Sequence, residues 1–220
     1  MKDFDAAVFD MDGLIFDSER AGFECWSEVA KTYGFNDITA LYRECIGCSR
    51  VRVEKLVKGA FGEGFPFDRF REKVFTLYTG RYGGGKMPLK TGAREILEYL
   101  KEKGKKTALA SSSDREMVLR LLDGAGLTEY FDGIVAGDMV TRSKPEPDIF
   151  LAACRLLGTA PERTVAVEDS YNGIRAAHAG GLRPVMVPDM LPADEEMRGL
   201  AEAVKDDLFA VMAYLAEKSE

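Results

Sequence analysis

The sequence contains few of the features that mark a membrane, secreted or nucleic-acid-binding protein. Its 220 residues include no run of about 18 apolar residues that could span a bilayer. The segment Met1 to Asp5 has neither the basic start nor the long apolar stretch of a signal peptide, so we expect a cytoplasmic protein. Thirty Lys and Arg stand against 37 Asp and Glu, giving a formal net charge of -7, and no basic block stands out. We therefore expect no nucleic-acid partner and no membrane partner.

Cysteine and histidine are also scarce, which limits the metal and redox chemistry that the chain can carry. The four cysteines are Cys25, Cys45, Cys48 and Cys154, and without a secretory signal we expect reduced thiols and no structural disulfide. Cys45 and Cys48 have the spacing of a zinc or redox pair, but no second pair accompanies them. The single histidine, His178, lies in another segment. The composition therefore disfavours a zinc centre.

What the sequence does contain is an alternation of short apolar runs with helical patterns. The apolar runs are rich in β-branched residues and end on acidic or hydroxyl residues, as buried parallel strands do. We predict strands at Ala6–Phe9, Thr107–Ala110, Ile134–Ala136, Thr164–Val167 and Pro184–Val187. Amphipathic patterns between them predict helices at Ala93–Lys103, Glu116–Ala125, Pro147–Leu157 and Gly173–Ala179. This order predicts a Rossmann-like α/β fold, with a parallel sheet covered by helices on both faces.

The interval from about Ser18 to Tyr82 interrupts this alternation. It has helical apolar spacing throughout, for example in Phe23, Trp26, Val29 and Tyr33. The pattern predicts a helical domain inserted after the first strand. We place it at residues 17–84, with the α/β core formed by residues 1–16 and 85–220.

Polar residues with the chemistry of a catalytic site follow the predicted strands. Asp10 and Asp12 follow the first strand, Ser111 and Ser112 the second, and Glu168 and Asp169 the fourth, while Lys144 lies in a later loop. In a parallel α/β sheet, ligands bind beyond the carboxyl ends of the strands. Several carboxylates at one edge require a cation, and all-oxygen ligands suit magnesium. We therefore predict that Asp10, Asp12, Glu168 and Asp169 hold Mg²⁺.

These residue types suit the transfer of a phosphoryl group. With a cation offsetting the repulsion between anions, the Asp10 carboxylate can attack phosphorus and form an aspartyl-phosphate. Asp12 would act as the general acid and base, and Ser111, Ser112 and Lys144 would bind the phosphate oxygens. The sequence therefore predicts an enzyme that removes phosphate from a small metabolite.

The motifs also resemble those of a known family. Asp10-Met11-Asp12-Gly13, Ser111, Lys144-Pro145 and Glu168-Asp169 occur in the order found in the haloacid dehalogenase superfamily, in the group of β-phosphoglucomutases and small-metabolite phosphatases. The helical insertion is similar to the family's cap domain. The resemblance implies that Asp10 is the nucleophile, that Asp12 is the acid/base and a backbone-carbonyl metal ligand, and that Asp169 is a metal ligand supported by Glu168. It also implies that Ser111 and Lys144 bind phosphate.

Two alternatives to a phosphatase remain open from the sequence. A phosphomutase of the β-phosphoglucomutase type would share the aspartyl-phosphate step, but no histidine precedes residue 178 where these mutases carry one in the cap. Arg50 does resemble their cap arginine. A non-catalytic binding module would not require the full set of motif residues. We expect a monomer that acts on sugar or polyol phosphates, with specificity residues among Phe16, Glu19, Arg20 and Arg50.

Overall fold

The computed structural model describes residues 3–46, 48 and 50–217, which form two compact units. The α/β unit comprises Met1–Asp17 and Gly84–Glu220, and the helical unit comprises Ser18–Gly83. Within the part of the chain described, no helix is long and apolar enough to cross a membrane. The motif residues Asp10, Asp12, Ser111, Lys144, Glu168 and Asp169 all belong to the α/β unit.

The centre of the α/β unit is a parallel sheet. Its strands are β1 Ala6–Phe9, β2 Lys106–Ala110, β3 Gly133–Val135, β4 Thr164–Glu168, β5 Arg183–Met186 and β6 Ala203–Val204. They lie side by side in the order β3-β2-β1-β4-β5-β6. Phe9 at the end of β1 pairs with Leu109 on one side and Val167 on the other, so the carboxyl ends of three central strands lie level.

Helices cover this sheet because each presents an apolar face. In α5 the buried residues Ala93, Ile96, Leu97 and Leu100 recur at helical spacing. The helices of the α/β unit are α5 Ala93–Glu102, α6 Arg115–Ala125, α7 Asp148–Leu157, α8 Tyr171–Ala179, α9 Glu195–Leu200 and α10 Leu208–Ala216. One part of the core joins strand residues such as Val8 and Ala166 to Phe150 of α7 and Ala176 of α8.

The helical unit has a separate core that is dominated by aromatic side chains. Its helices are α1 Ser18–Lys31, α2 Thr39–Cys45, α3 Arg50–Phe61 and α4 Phe67–Tyr82. Trp26 of α1 packs edge-on against the ring of Phe70 of α4, with 5.2 Å between centroids. Phe65 and Tyr33 extend the same cluster. Burial of such rings gives the unit its own hydrophobic stabilisation.

The α/β fold and the five predicted strands are confirmed, with ends that differ by at most one residue. One strand and two α-helices of the described part of the α/β unit were not predicted. Strand β6 has only two residues and α9 only six, so neither carries enough of a periodic pattern. Helix α10, Leu208–Ala216, is apolar on nearly every side and therefore lacks an amphipathic signature.

Candidate active site

The candidate site lies at the carboxyl ends of β1, β2 and β4. Asp10 directly follows β1, Ser111 directly follows β2, and Glu168 is the last residue of β4. All three are buried. The level strand ends bring these residues, which are more than 50 positions apart in the sequence, to one edge of the sheet.

Lys144 connects the residues of this edge. Its Nζ atom donates to Asp10 Oδ1, to Glu168 Oε1 at 2.7 Å and to the carbonyl oxygen of Ala110 at 3.0 Å. An ammonium group has three protons, so these contacts use all of its donors. Only 7% of the Lys144 side chain is exposed. The predicted phosphate-binding lysine is therefore, in this structure, the cation that holds Asp10 and Glu168 together.

Glu168 is fixed from its other side by the start of α8. Its Oε2 atom accepts hydrogen bonds from the backbone N–H of Ser170 at 2.8 Å and from Ser170 Oγ at 2.9 Å. Ser170 is also the N-cap of α8, because its side chain accepts from the N–H of Gly173 at 3.1 Å. Ser170 therefore both begins α8 and holds the Glu168 carboxylate in place.

Gly173 makes room for the Glu168 carboxylate. A Cβ atom at position 173 would lie 1.8 Å from both Cδ and Oε1 of Glu168. Any larger residue must therefore push Glu168 away from Lys144. The motif Glu168-Asp169 with Gly173 following was visible in the sequence, but the reason for the glycine was not.

We expect Gly173→Ala to lower the free energy of unfolding by about 3 kcal/mol, because the added methyl group overpacks a buried charge pair. The matched control is Gly199→Ala in α9, where a Cβ would meet nothing within 4 Å. Alanine favours helices over glycine by about 1 kcal/mol, so the control should stabilise slightly. Urea denaturation of both variants measures this difference in sign; equal effects would contradict the steric explanation.

Three carboxylates form an acidic cluster at this edge. Asp10, Glu168 and Asp169 each offer one oxygen, and these oxygens lie within 4.8 Å of one another. Gly13 permits the close approach of the first motif to this cluster: it has a φ of +79°, and a Cβ there would lie 2.2 Å from Asp169 Oδ2. The Asp12 carboxylate does not belong to this group.

Burial and mutual repulsion shift the pKa values of two of these acids. Burial raises the pKa of Asp10 to about 7; the charge of Lys144 opposes the shift, and Glu168 and Asp12 add to it. Burial, followed by the charges of Glu168, Asp10 and Asp189, raises the pKa of Asp169 well above its ordinary value. Burial by itself would lower the pKa of Lys144, but the charges of Asp10 and Glu168 outweigh burial and raise it. The cluster therefore holds more negative charge than one lysine balances.

The serine-rich turn after β2 holds Asp12. Ser113 Oγ donates to Asp12 Oδ2 at 2.8 Å, and the N–H of Ser113 donates to Ser111 Oγ at 3.1 Å. Ser112 is exposed at the tip of this turn. Ser113 was not among the predicted site residues, although it is the third serine of a run that directly follows a strand.

The predicted specificity residues are spread over both units. Phe16 is buried in the α/β unit, where it forms a bridge to Leu89. Glu19 and Arg20 lie in the first turn of α1, and the Tyr42 hydroxyl contacts the Glu19 carbonyl oxygen at 3.2 Å. Arg50 pairs with Asp68 at 2.9 Å on an exposed surface of the helical unit. Their role in specificity stays a prediction.

The parallel sheet covered by helices, with a lysine-bridged acidic cluster at the ends of its strands, makes this a Rossmann-like α/β protein. Comparison with known proteins assigns the family. Residues 4–181 match the model of the haloacid dehalogenase-like hydrolases. The chain is 33% identical over 181 residues to a phosphorylated carbohydrates phosphatase from Thermotoga maritima, covering 82% of this chain and 83% of that protein. It is 30% identical over 214 residues to hexitol phosphatase B from Escherichia coli, covering 92% of this chain and 96% of the relative.

A solved structure gives the same assignment. A crystal structure from Thermotoga maritima, described as a candidate β-phosphoglucomutase, superposes with a TM-score of 0.80 at 30% identity and covers 99% of both chains. The chain therefore belongs to the haloacid dehalogenase-like hydrolase family. It is an enzyme of the phosphatase kind within that family.

Proposed function

We propose that the protein is a magnesium-dependent phosphatase that hydrolyses small phosphorylated metabolites through an aspartyl-phosphate on Asp10. The observation that carries this proposal is the position of Asp10, which is buried at a strand end, pairs with Lys144 and belongs to the acidic cluster with Glu168 and Asp169. The lysine fixes the direction of the carboxylate, while the cluster supplies ligands for a cation. A carboxylate held in this way is prepared for nucleophilic attack.

The donor set of the cluster fits Mg²⁺. Magnesium prefers oxygen ligands and is commonly bound by one or two carboxylates. Asp10 and Asp169 would hold it directly, Asp12 through its backbone carbonyl, and Glu168 would support them. The raised pKa values of Asp10 and Asp169 also favour a cation, because an added positive charge would allow both acids to ionise. When bound, the metal would offset the repulsion between Asp10 and the incoming phosphate.

The residues of the chain account for both halves of the reaction. An oxygen of Asp10 bonds to phosphorus while the bond from phosphorus to the substrate's ester oxygen breaks, and Asp12 gives that oxygen its proton. Asp12 then takes a proton from a water molecule, whose oxygen attacks phosphorus. The bond between phosphorus and the Asp10 oxygen breaks in this step, which releases inorganic phosphate and restores the Asp10 carboxylate. The charge of Lys144 and the donors of the Ser111-Ser112 turn stabilise the transferring group in both steps.

Ser113 should orient the acid/base in this scheme. Ser113→Ala removes the 2.8 Å hydrogen bond to Asp12. A hydrogen bond to a charged group contributes about 1.5–3 kcal/mol, so we expect kcat to fall by about tenfold or more with little change in KM. The comparison variant is Ser112→Ala at the exposed tip of the turn, which should mainly raise KM if Ser112 binds substrate phosphate. A fall in kcat that is the same in both variants would contradict the role of Ser113.

The substrate class that we propose is sugar or polyol phosphates. The relatives named for phosphorylated carbohydrates and hexitols support this class. A phosphomutase is the second candidate, since a candidate β-phosphoglucomutase has the same fold over 99% of both chains. The residues favour the phosphatase, because the only histidine of the chain, His178, lies in α8 of the α/β unit.

The deciding experiment measures phosphate release from a panel of sugar and polyol phosphates, including β-glucose 1-phosphate, with and without Mg²⁺. Glucose 6-phosphate is assayed in the same reactions. Magnesium-dependent release of phosphate supports the phosphatase, whereas glucose 6-phosphate without phosphate release supports the mutase. Comparable turnover of phosphoproteins would contradict the proposed substrate class.

A further inference from the structure

Asp189 is an acidic residue near the site for which the proposed reaction has no role. It lies just beyond β5, and 12% of its side chain is exposed. One carboxylate oxygen, Oδ1, accepts from Lys90 Nζ at 2.7 Å. The other, Oδ2, is buried and has no hydrogen-bond partner among the residues that the structure describes. Native proteins rarely leave a buried carboxylate oxygen in this state without a functional reason.

The unpartnered oxygen lies near Asp169 of the acidic cluster. A Cβ built on Gly13 would lie 2.2 Å from Asp169 Oδ2 and 3.4 Å from Asp189 Oδ2, so both oxygens border the same small space. The charge of Asp189 is also among the causes that raise the pKa of Asp169. The two carboxylates are therefore neighbours beside the backbone of Gly13.

Lys90 determines which oxygen of Asp189 is turned to the cluster. Its ammonium lies 2.7 Å from Asp189 Oδ1 and 3.5 Å from Asp17 Oδ1, and it is largely buried. The lysine therefore holds Oδ1 on its own side. Oδ2 is left near Asp169, and as a carboxylate oxygen it can accept a hydrogen bond there.

We propose that Asp189 is a positioning residue for the metal centre and that its Oδ2 accepts a hydrogen bond from a water molecule in the coordination shell of Mg²⁺. Magnesium retains several of its waters when protein carboxylates bind it, so donors of this kind accompany the ion. The inference rests on the proposed function, because it takes the acidic cluster as the magnesium site. It adds Asp189 and its anchor Lys90 to the residues that determine metal affinity.

Calorimetric titration of the full chain with MgCl2 tests this role without any turnover. In Asp189→Asn, Lys90 should keep the amide oxygen, so the NH2 group would face the cluster and no acceptor would remain for the water. Loss of such outer-shell partners typically weakens metal binding 10- to 100-fold, and we expect a loss of about that size. The matched control is Asp5→Asn, which alters an aspartate that pairs with Arg163 before β1, at the opposite edge of the sheet. It should bind Mg²⁺ like the wild type.

A purely structural role for Asp189 would leave the stabilisation by Mg²⁺ unchanged. Asp189→Asn removes the charge that pairs with Lys90, so the melting temperature in EDTA should fall because a largely buried ion pair is lost. If Asp189 supports the metal, the increase in melting temperature that Mg²⁺ adds above this EDTA value should also be smaller than in the wild type. Affinity within twofold of the wild type, or a Mg²⁺-induced increase equal to that of the wild type, would overturn the proposal. Phosphate release by the wild type, assayed separately, tests the proposed function independently of Asp189.

Discussion

Asp10→Asn is expected to reduce phosphate release by at least about 10⁴-fold, because an amide keeps the shape of the carboxylate but cannot attack phosphorus. The fold should persist. The amide oxygen can still accept from Lys144, and the substitution removes one of the mutually repelling charges that raise the pKa of Asp169. Steady-state assays at saturating Mg²⁺, together with thermal melting, measure the two effects.

The control for this substitution is again Asp5→Asn, which makes the same chemical change in a partly exposed ion pair with Arg163. We expect it to retain near wild-type turnover. Residual activity of Asp10→Asn within about tenfold of the wild type would exclude Asp10 as the nucleophile. The reaction would then require another nucleophile, either a different side chain or water.

Lys144→Met is expected to be the most destabilising single substitution in the site. Removal of one partner of a buried charge pair typically costs about 3–5 kcal/mol, because the remaining charges stay buried without compensation. Here two carboxylates, Asp10 and Glu168, lose their shared cation. Added Mg²⁺ should restore part of the stability, and more than it adds to the wild type, because the ion supplies the missing positive charge.

Urea denaturation with and without Mg²⁺ measures this effect. The control is Lys101→Met, which removes a lysine that pairs with Glu129 at 3.1 Å; the two side chains are 53% and 71% exposed. A pair this accessible to solvent contributes at most about 1 kcal/mol. If Lys144→Met were no more destabilising than the control, the acidic cluster would not depend on Lys144. If the variant does not fold without Mg²⁺, refolding in its presence provides the same comparison.

The sequence alone determined the architecture and the identities of most residues at the site. Buried β-branched runs alternating with helical patterns indicate a parallel sheet, because only that arrangement buries both faces of each strand. The acids and serines that follow those runs, including Asp10, Ser111 and Glu168, lie at one sheet edge because parallel strands all end on the same side. Asp189 follows β5 in the same manner, so the rule could have identified it too.

The contacts among these residues were decided by the tertiary structure. Lys144 donates to Asp10, Ala110 and Glu168, which come from three different segments of the chain. Ser113 donates to Asp12, which lies 101 positions away. Gly173 leaves space for Glu168 only because helix α8 packs against the end of β4. Side-chain pairing is set by strand register and helix position, which local patterns do not encode. Sequence patterns therefore identify the chemical groups of the site, whereas packing determines which of them meet and how much each is buried.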